Sequence, residues 1–158
     1  MSEALATTVR VPLADKAYDV HIGHGILKFA GASIRAVSQS ARRALIVHDP
    51  NVSDGIHIGL RDSLLAAGFS VGTHALIARE SEKNMRAVES VIGELLSNRY
   101  ERGDIAIALG GGIIGDIAGF AASIYRRGIA VIQCPTTLLS MVDASVGGKT
   151  GVNAEVQG

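Results

Sequence analysis

The stretch DIAIALGGGIIGDIAGFAASIYRRG, residues 104–128, decides the fold of this chain of 158 residues. Its apolar run over 105–109 predicts a buried strand, and the pattern of mostly small residues over 115–125 predicts a helix. Three consecutive glycines lie between the two, although each glycine loses more backbone entropy on folding than any other residue. Three glycines in a row therefore need a physical reason, either in packing or in binding.

The rest of the chain alternates between strand-like and helix-like patterns. Two segments rich in β-branched residues, 7–13 and 18–22, are separated by Ala-Asp-Lys and predict a hairpin. Further strands are predicted at 44–47, 69–77 and 129–134, and helices at 25–37, 51–67 and 85–96. Such alternation requires crossover connections, so we expect one α/β domain over residues 1–158. Its fold would be a Rossmann-like, mainly parallel sheet flanked by helices, with an N-terminal β-hairpin.

Composition narrows the classes of function. Lys and Arg together number 15, as do Asp and Glu, so no broad cationic face is present for nucleic acid. Cys134 is the single cysteine, which excludes an internal disulfide and fits a reducing cytoplasm. The opening residues lack the pattern of a signal peptide, and the apolar runs are too short to span a bilayer. We expect a cytoplasmic protein that binds neither nucleic acid nor membrane.

The glycine turn has two interpretations. Gly110, Gly112 and Gly115 fit the pattern G-x-G-x-x-G at the end of a strand, where main-chain amides could meet a pyrophosphate. The same glycines could instead provide a tight turn with close packing. The acidic residue expected about 20 positions later is missing, but Asp49 ends an earlier strand. Asp49 could hold a ribose from there, or it could cap the turn before the next helix.

Other motifs are less informative. The segment DASVGGKT, residues 143–150, ends like a phosphate-binding P-loop, but Asp143 stands where that loop needs a glycine. A P-loop NTPase is therefore a poor interpretation, while Lys149 could contact an anion or be a solvated surface charge. Arg126 and Arg127 follow a helix end, where cations complement the helix dipole. The five histidines form no ligand pair, so the sequence predicts no metal site in this chain.

From Leu109 onward, several short segments keep a specific order and spacing. They are GGGIIGD at 110–116, GFAA at 119–122, YRRG at 125–128, QCPTTLL at 133–139 and VDASVGGKTGVN at 142–153. This combination closely resembles the 3-dehydroquinate synthase family. It is much more specific than any single motif within it.

The resemblance implies the NAD-binding N-terminal domain of an enzyme of the shikimate pathway. That enzyme converts 3-deoxy-D-arabino-heptulosonate 7-phosphate into 3-dehydroquinate with loss of phosphate, using bound NAD and a divalent metal, zinc or cobalt. The resemblance also implies a homodimer of the full-length protein. In the family the metal ligands lie in a helical C-terminal domain that this sequence lacks. We therefore expect the chain to be a fragment without synthase activity of its own.

Carried over by motif, the resemblance assigns roles to individual residues. Asp49 and Asn51 would hold the adenosine ribose, and Glu80 and Lys83 would also meet the nucleotide, with Arg79 in place of a usual glycine. The residues around the pyrophosphate and nicotinamide would be Gly111, Gly112, Ile113, Ile114, Gly115, Asp116, Thr136 and Thr137. The substrate would be faced by Asp143, Lys149 and Asn153 and, from the neighbouring subunit, by Arg127.

Two alternatives stay open. A related sugar-phosphate cyclase that acts on sedoheptulose 7-phosphate would have nearly the same cofactor site, and a stand-alone nucleotide-binding module would have that site without any chemistry. Enzymes similar to glycerol dehydrogenase share the glycine-rich turn and the architecture. Their pattern does not account for the Pro-Thr-Thr and Gly-Gly-Lys-Thr segments.

Overall fold

A computed structural model describes residues 6–13 and 17–154. At its start, β1 (Thr7–Val11) and β2 (Tyr18–Ile22) pair as an antiparallel hairpin, as predicted. Arg10 and Asp19 form an ion pair across the hairpin, with Nη1 and Oδ1 2.9 Å apart. The predicted turn of this hairpin, residues 14–16, lies outside the described residues.

The larger part of the domain is a parallel sheet of four strands with helices on both faces. The strands are β3 (Arg43–His48), β4 (Ser70–Ala75), β5 (Ile105–Gly110) and β6 (Ala130–Pro135), and they lie side by side in the order β4-β3-β5-β6. The helices are α1 (Ala30–Val37), α2 (Asp54–Ala66), α3 (Met85–Ser97) and α4 (Gly112–Ile124). The predicted fold class is confirmed. Within residues 6–13 and 17–154, none of the helices combines the length and the apolar character that a membrane span requires.

Alternate side chains of the sheet enter two separate cores. Leu45 and Val47 of β3 lie on one face with Ala106 of β5, in a cluster that includes residues of α3 and α4. Ile46 and Ile107 lie on the other face, in a cluster that includes residues of α1 and α2. Every residue of β5 is buried, as expected for a strand that is covered on both faces. The apolar run before the three glycines is therefore the centre of the fold.

Some helix boundaries depart from the predictions. α4 begins at Gly112 and not at residue 115, because Gly111 is its N-cap in extended backbone and the N–H of Gly115 already donates to Gly111 O at 3.2 Å. The glycines are thus part of the first helical turn as well as of the bend. α2 begins later than predicted, at Asp54, and a 3₁₀ turn, Ile26–Phe29, precedes α1.

The amino ends of β3 and β5 are joined by the buried carboxylate of Asp104. Its Oδ1 accepts hydrogen bonds from the N–H groups of Arg42 and Arg43 at 3.1 and 2.9 Å, and its Oδ2 accepts one from the N–H of Glu101 at 2.7 Å. One carboxylate therefore satisfies three main-chain donors at the edge of the sheet opposite to the glycine turn.

Candidate functional site

The strand order creates a crevice between β3 and β5 at the edge of the sheet where the carboxyl ends of the strands lie, called here the carboxyl edge. From β3 the chain crosses through α2 to β4 on one side, whereas from β5 it crosses through α4 to β6 on the other side. α2 and α4 consequently cover opposite faces of the sheet. In open α/β sheets, ligands bind where the strand order reverses in this way.

Asp49 lies at this switch point, directly after β3. Its N–H donates to Leu109 O on β5 at 3.3 Å, and its Oδ1 accepts from both the main-chain N–H and the side-chain amide of Asn51, each at 2.9 Å. Within the described residues, Oδ2 of Asp49 has no hydrogen-bond partner. One carboxylate oxygen thus stabilises the turn, while the other is free to accept a hydrogen bond from a ligand hydroxyl.

The glycine turn lies beside Asp49, at the end of the neighbouring strand. Gly110 ends β5, and Gly111 is the N-cap of α4 with φ −77° and ψ −174°. The first main-chain N–H groups of α4 have no acceptors within the helix, as in any α-helix. No side chain caps them either. An anion at this position would meet both these N–H groups and the positive end of the helix dipole.

Two glycines of α4, one in its first turn and one in its middle, let the chain that follows β6 lie directly on this helix. A Cβ at Gly112 would lie 3.2 Å from Cβ of Ala144, and a Cβ at Gly119 would overlap Cγ2 of Thr150. Residues 144–150 therefore run along α4, from its first turn toward its C-terminal half. The packing interpretation of the glycines holds at these positions, without excluding a ligand at the uncapped end of the helix.

The two threonines after β6 differ in their hydrogen bonds. The N–H of Thr136 donates to Gly110 O at 2.9 Å, and its hydroxyl has no partner among the described residues. Thr137 packs on the turn, since a Cβ at Gly111 would lie 3.2 Å from Cγ2 of Thr137, and its Oγ1 is 2.9 Å from Oγ of Ser140. Thr136 therefore offers a free hydroxyl beside the glycine turn, whereas the hydroxyl of Thr137 stabilises the local chain.

The predicted residues at the start of α4 have different environments. Ile114 is fully buried in the core, and Ile113 packs partly against it. A Cβ at Gly115 would lie 2.8 Å from Oε1 of Gln133 on β6. Contact of Ile114 with a ligand would thus involve its main chain and not its side chain.

An ion pair joins the connection before α3 to α4. Nζ of Lys83 contacts Oδ2 of Asp116, and the two side chains are only 20% and 22% exposed. Asn153 completes the cluster: its N–H donates to Lys83 O and its Nδ2 donates to Oε1 of Glu80, both at 2.8 Å. Arg79 has φ −119° and ψ 147°, which is extended backbone that needs no glycine. The fold therefore brings four predicted site residues together without strain at Arg79.

Asp143 and Lys149 lie on the exposed part of the segment after β6. Neither side chain has a hydrogen bond or ion pair within the described residues. The hydroxyl of Tyr18 in the hairpin accepts from the N–H of Gly147 at 2.8 Å, which ties the loop between them to β2. Both charged groups thus remain open to solvent on a segment that packs against α4.

Arg127 lies at the opposite edge of the sheet. It follows α4, whose 13 residues lead away from the glycine turn over about 20 Å. Its guanidinium has no partner in the part of the chain that the structure describes. The fold therefore does not bring Arg127 together with the other predicted site residues of the same chain.

Two histidines without a predicted role meet beside Asp49. His48 ends β3 and His57 lies in α2, and their ring centroids are 4.4 Å apart. Nε2 of His57 is buried without a hydrogen-bond partner, and burial, followed by the nearby His48, lowers the pKa of His57. Burial also lowers the pKa of His74, whose Nε2 is 3.1 Å from Oγ of Ser90. No local motif signals the pair, because its two rings come from different elements.

The pair of His48 and His57 should make the domain sensitive to acid. Folding lowers the pKa of His57, so the unfolded chain binds a proton at this residue more readily than the folded chain does. The free energy of unfolding is therefore unaffected by this group above the ordinary histidine pKa of about 6.5 and falls as the pH drops below it. Between about pH 8 and about pH 5, we expect the urea midpoint of the wild type to fall more than that of His57→Gln. His21→Gln, in the hairpin, is the control and should behave as the wild type. Equal falls in all three proteins would contradict this prediction.

Comparison with known proteins identifies the family of this chain. A family model for the N-terminal part of 3-dehydroquinate synthase matches residues 73–157, more than half of the chain. The chain belongs to the 3-dehydroquinate synthase family. Two relatives named 3-dehydroquinate synthase illustrate the match: that of Roseobacter denitrificans is 47% identical over 93% of this chain, and that of Rhizobium rhizogenes 48% identical over 92%. The chain spans 40% and 38% of the length of these relatives.

Solved structures similar to this member of the 3-dehydroquinate synthase family include other cyclases. A 2-deoxy-scyllo-inosose synthase complexed with carbaglucose-6-phosphate, NAD⁺ and Co²⁺ has a TM-score of 0.82 at 25% identity, over 94% of this chain and 40% of that protein. A 2-epi-5-epi-valiolone synthase from Streptomyces hygroscopicus subsp. jinggangensis, with NAD⁺ and Zn²⁺ bound, has a TM-score of 0.67 at 35% identity, over 75% of this chain and 34% of that protein. The Schizosaccharomyces pombe glycerol dehydrogenase, at 19% identity and a TM-score of 0.53, shares the fold over 70% of this chain and 25% of that protein.

Proposed function

We propose that this chain is the NAD-binding domain of a 3-dehydroquinate synthase, which acts in the shikimate pathway of aromatic amino acid biosynthesis. The whole synthase would convert 3-deoxy-D-arabino-heptulosonate 7-phosphate into 3-dehydroquinate with release of phosphate. One observation carries the proposal: Asp49 and the glycine turn meet at the switch point of the sheet, in a chain that is 47% identical to a 3-dehydroquinate synthase over 93% of its length.

The carboxyl edge has the chemistry that a dinucleotide needs. Oδ2 of Asp49 can accept from a ribose hydroxyl, and the uncapped N–H groups after Gly111 can donate to a pyrophosphate. In the usual dinucleotide fold the acidic residue comes about 20 positions after the glycines. Here the strand beside the glycine strand is β3, which comes earlier in the chain. Asp49 therefore takes the role of the acidic residue that is missing about 20 positions after the glycines.

Bound NAD would supply a hydride acceptor, and the chain would bind and orient it. We assign this binding to Asp49, Asn51, Glu80, Lys83, Gly111, Gly112, Ile113, Ile114, Gly115, Asp116, Thr136 and Thr137. On the substrate side, Lys149 would pair with a carboxylate or phosphate as a compact cation. Asp143 would accept hydrogen bonds from substrate hydroxyls, and Asn153 would present its amide.

The divalent metal, zinc or cobalt, has no candidate group of ligands among residues 6–13 and 17–154. Within the described residues, no group of three or more His, Cys, Asp or Glu side chains is placed to hold a metal ion. Since these residues do not fit a catalytic metal, no chemical step is derived through one. We assign metal binding to the part of the relatives that lies beyond the match, and we expect this chain alone to lack synthase activity.

The position of Arg127 supports a homodimer of the whole synthase. Arg127 lies about 20 Å along α4 from the glycine turn, at the opposite edge of the sheet. It therefore lies too far from the glycine turn to reach the part of a substrate that is held beside the coenzyme in the same subunit. In a dimer, Arg127 of one subunit would bind the phosphate of the substrate in the other subunit.

Isothermal titration calorimetry with NAD tests the cofactor assignment on this chain. Asp49→Ala should weaken NAD binding by about tenfold, because it removes a charge-assisted hydrogen bond to a ribose hydroxyl. Asp62→Ala is the matched control, since it removes an exposed carboxylate of α2, and it should bind NAD as the wild type does. Equal affinity of Asp49→Ala and wild type would contradict the role of Asp49. Absence of binding at millimolar NAD would contradict the cofactor.

A second candidate function is that of a related sugar-phosphate cyclase acting on sedoheptulose 7-phosphate. A solved synthase with a TM-score of 0.82 holds carbaglucose-6-phosphate, so a similar domain also serves a different sugar phosphate. The identity of 47% to a 3-dehydroquinate synthase favours the first candidate. Phosphate release by the whole synthase from each of the two heptulose phosphates decides between them. Release from the heptulosonate phosphate alone is the expected result.

A further inference from the structure

The turn that follows α4 has strained backbone at two arginines. Arg126, Arg127 and Gly128 have positive φ angles of 49°, 67° and 107° in succession. Gly128 adopts such a conformation without penalty, but the arginines carry a Cβ that crowds the backbone there. Backbone of this kind persists only where the surrounding structure holds it, and it is concentrated at functional sites. The strained backbone therefore requires a group that holds the turn, and it indicates a function that this conformation serves.

The side chain of Arg126 holds the turn. Its Nε donates to Tyr100 O at 3.0 Å, and its Nη2 lies 3.6 Å from Oε1 of Glu101. The hydroxyl of the buried Tyr125 donates to the same carbonyl of Tyr100 at 2.7 Å. Arg126 and Tyr125 together clamp the end of α4 to the connection that precedes β5.

The backbone of Arg127 is held by its neighbours, while its side chain is exposed and makes no hydrogen bond or ion pair among the described residues. The conformation of the turn, and not side-chain packing, therefore sets where its guanidinium leaves the surface. The helix dipole does not explain the strain, because an arginine in the last helical turn would serve the dipole with relaxed backbone.

We propose that Arg126 is a positioning residue for Arg127. By clamping the turn to Tyr100, it holds the backbone of Arg127 so that this side chain extends from the domain, where its guanidinium can bind an oxyanion on a second molecule. This inference rests on the proposed function, in which Arg127 binds the substrate phosphate of the neighbouring subunit. A preorganised group loses less conformational entropy on binding than a mobile one, and the planar donors of arginine match phosphate oxygens.

Nuclear magnetic resonance of the chain itself tests the clamp. We expect the amides of residues 126–128 to be ordered on the ps–ns timescale in the wild type and mobile in Arg126→Ala. Arg99→Ala is the matched control, because Arg99 also has a positive φ, 55°, and follows a helix at the same edge of the sheet. Arg126→Lys keeps the charge without the Nε donor and decides the question if Arg126→Ala does not fold. Ordered amides in the folded variants of Arg126 would overturn the clamp.

Kinetics of the whole synthase test the purpose of the clamp. Arg126→Ala should raise KM for the phosphate substrate by about tenfold and change kcat by less than about threefold, as a loosened substrate contact would. Arg127→Ala should raise KM at least as much, and Arg99→Ala should change neither constant. A raised KM in Arg127→Ala beside a wild-type KM in Arg126→Ala would overturn this inference alone. A wild-type KM in both would overturn the proposed role of Arg127 as well.

Discussion

Gly110→Ala is expected to lower the free energy of unfolding by about 3 kcal/mol. An added Cβ would lie 2.6 Å from Cγ1 and 2.9 Å from Cβ of Ile114, whose side chain is fully buried. The Cβ of Ile114 is fixed by the backbone of α4, so rotation of the side chain does not remove the overlap. The end of β5 and the first turn of α4 would have to move apart. Urea unfolding measures the loss.

A helical glycine with open space around it is the control for this substitution. Gly59 lies in α2, and nothing lies within 4 Å of an added Cβ. Gly59→Ala should therefore raise the free energy of unfolding by up to about 1 kcal/mol, because alanine loses less backbone entropy in a helix. A loss of stability in Gly59→Ala would show that the cost at Gly110 is not specific to the overlap.

The double variant of Gly110→Ala and Ile114→Ala identifies the cause of the loss. Ile114→Ala alone leaves a cavity and should cost about 3 kcal/mol. In the double variant the contacts with Cγ1 and Cγ2 of residue 114 are gone, although the contact with Cβ at 2.9 Å remains, and the new methyl group fills part of the cavity. The combined loss should therefore be smaller than the sum of the single losses. Strict additivity would contradict the contact with the γ carbons of Ile114 as the cause of the loss at Gly110.

β5, the glycine turn and α4 were predictable because each has a local signal in the sequence. The apolar run over 105–109 fits a strand or part of a buried helix, and its short length and the glycines after it favour the strand. Asp49 was predictable as a candidate because it follows an earlier strand of the same sheet. The sequence did not decide between packing and binding at the glycines. The packing part of the answer depends on contacts such as that of Ala144 with Gly112, whose residues are far apart in the chain.

Other features of the site have no signal that sequence reasoning could have used. The contact between the tilted rings of His48 and His57 depends on how α2 packs on β3. The left-handed turn at Arg126 occurs at a residue type that rarely adopts this conformation. The resemblance assigned Arg127 to a substrate site, but only the topology shows that this residue lies at the edge opposite to Asp49. Contacts between elements, and not local patterns, determine these features.

Lys83→Met is expected to lower the free energy of unfolding by about 2 kcal/mol and to weaken NAD binding by about 30-fold. The ion pair of Lys83 with Asp116 is largely shielded, with side chains 20% and 22% exposed, so its removal leaves a poorly solvated carboxylate in α4. The carbonyl of Lys83 also accepts from the N–H of Asn153 at 2.8 Å, so movement here would reach Asn153, which we assign to substrate binding. Urea unfolding and calorimetric titration with NAD measure the two effects.

A double-mutant cycle of Lys83→Met with Asp116→Asn separates the effect of the ion pair on stability from that of a direct contact between Lys83 and NAD. If the pair accounts for the loss of stability, the double variant should be less destabilised than the sum of the single variants. Arg61→Met is the control, because Arg61 and Asp62 form an exposed pair with 3.9 Å between Nε and Oδ1, which should contribute less than about 0.5 kcal/mol. A stability loss in Lys83→Met with unchanged NAD affinity would assign Lys83 to the fold. Weaker binding in Lys83→Met but not in Asp116→Asn would instead require that Lys83 itself contacts the coenzyme.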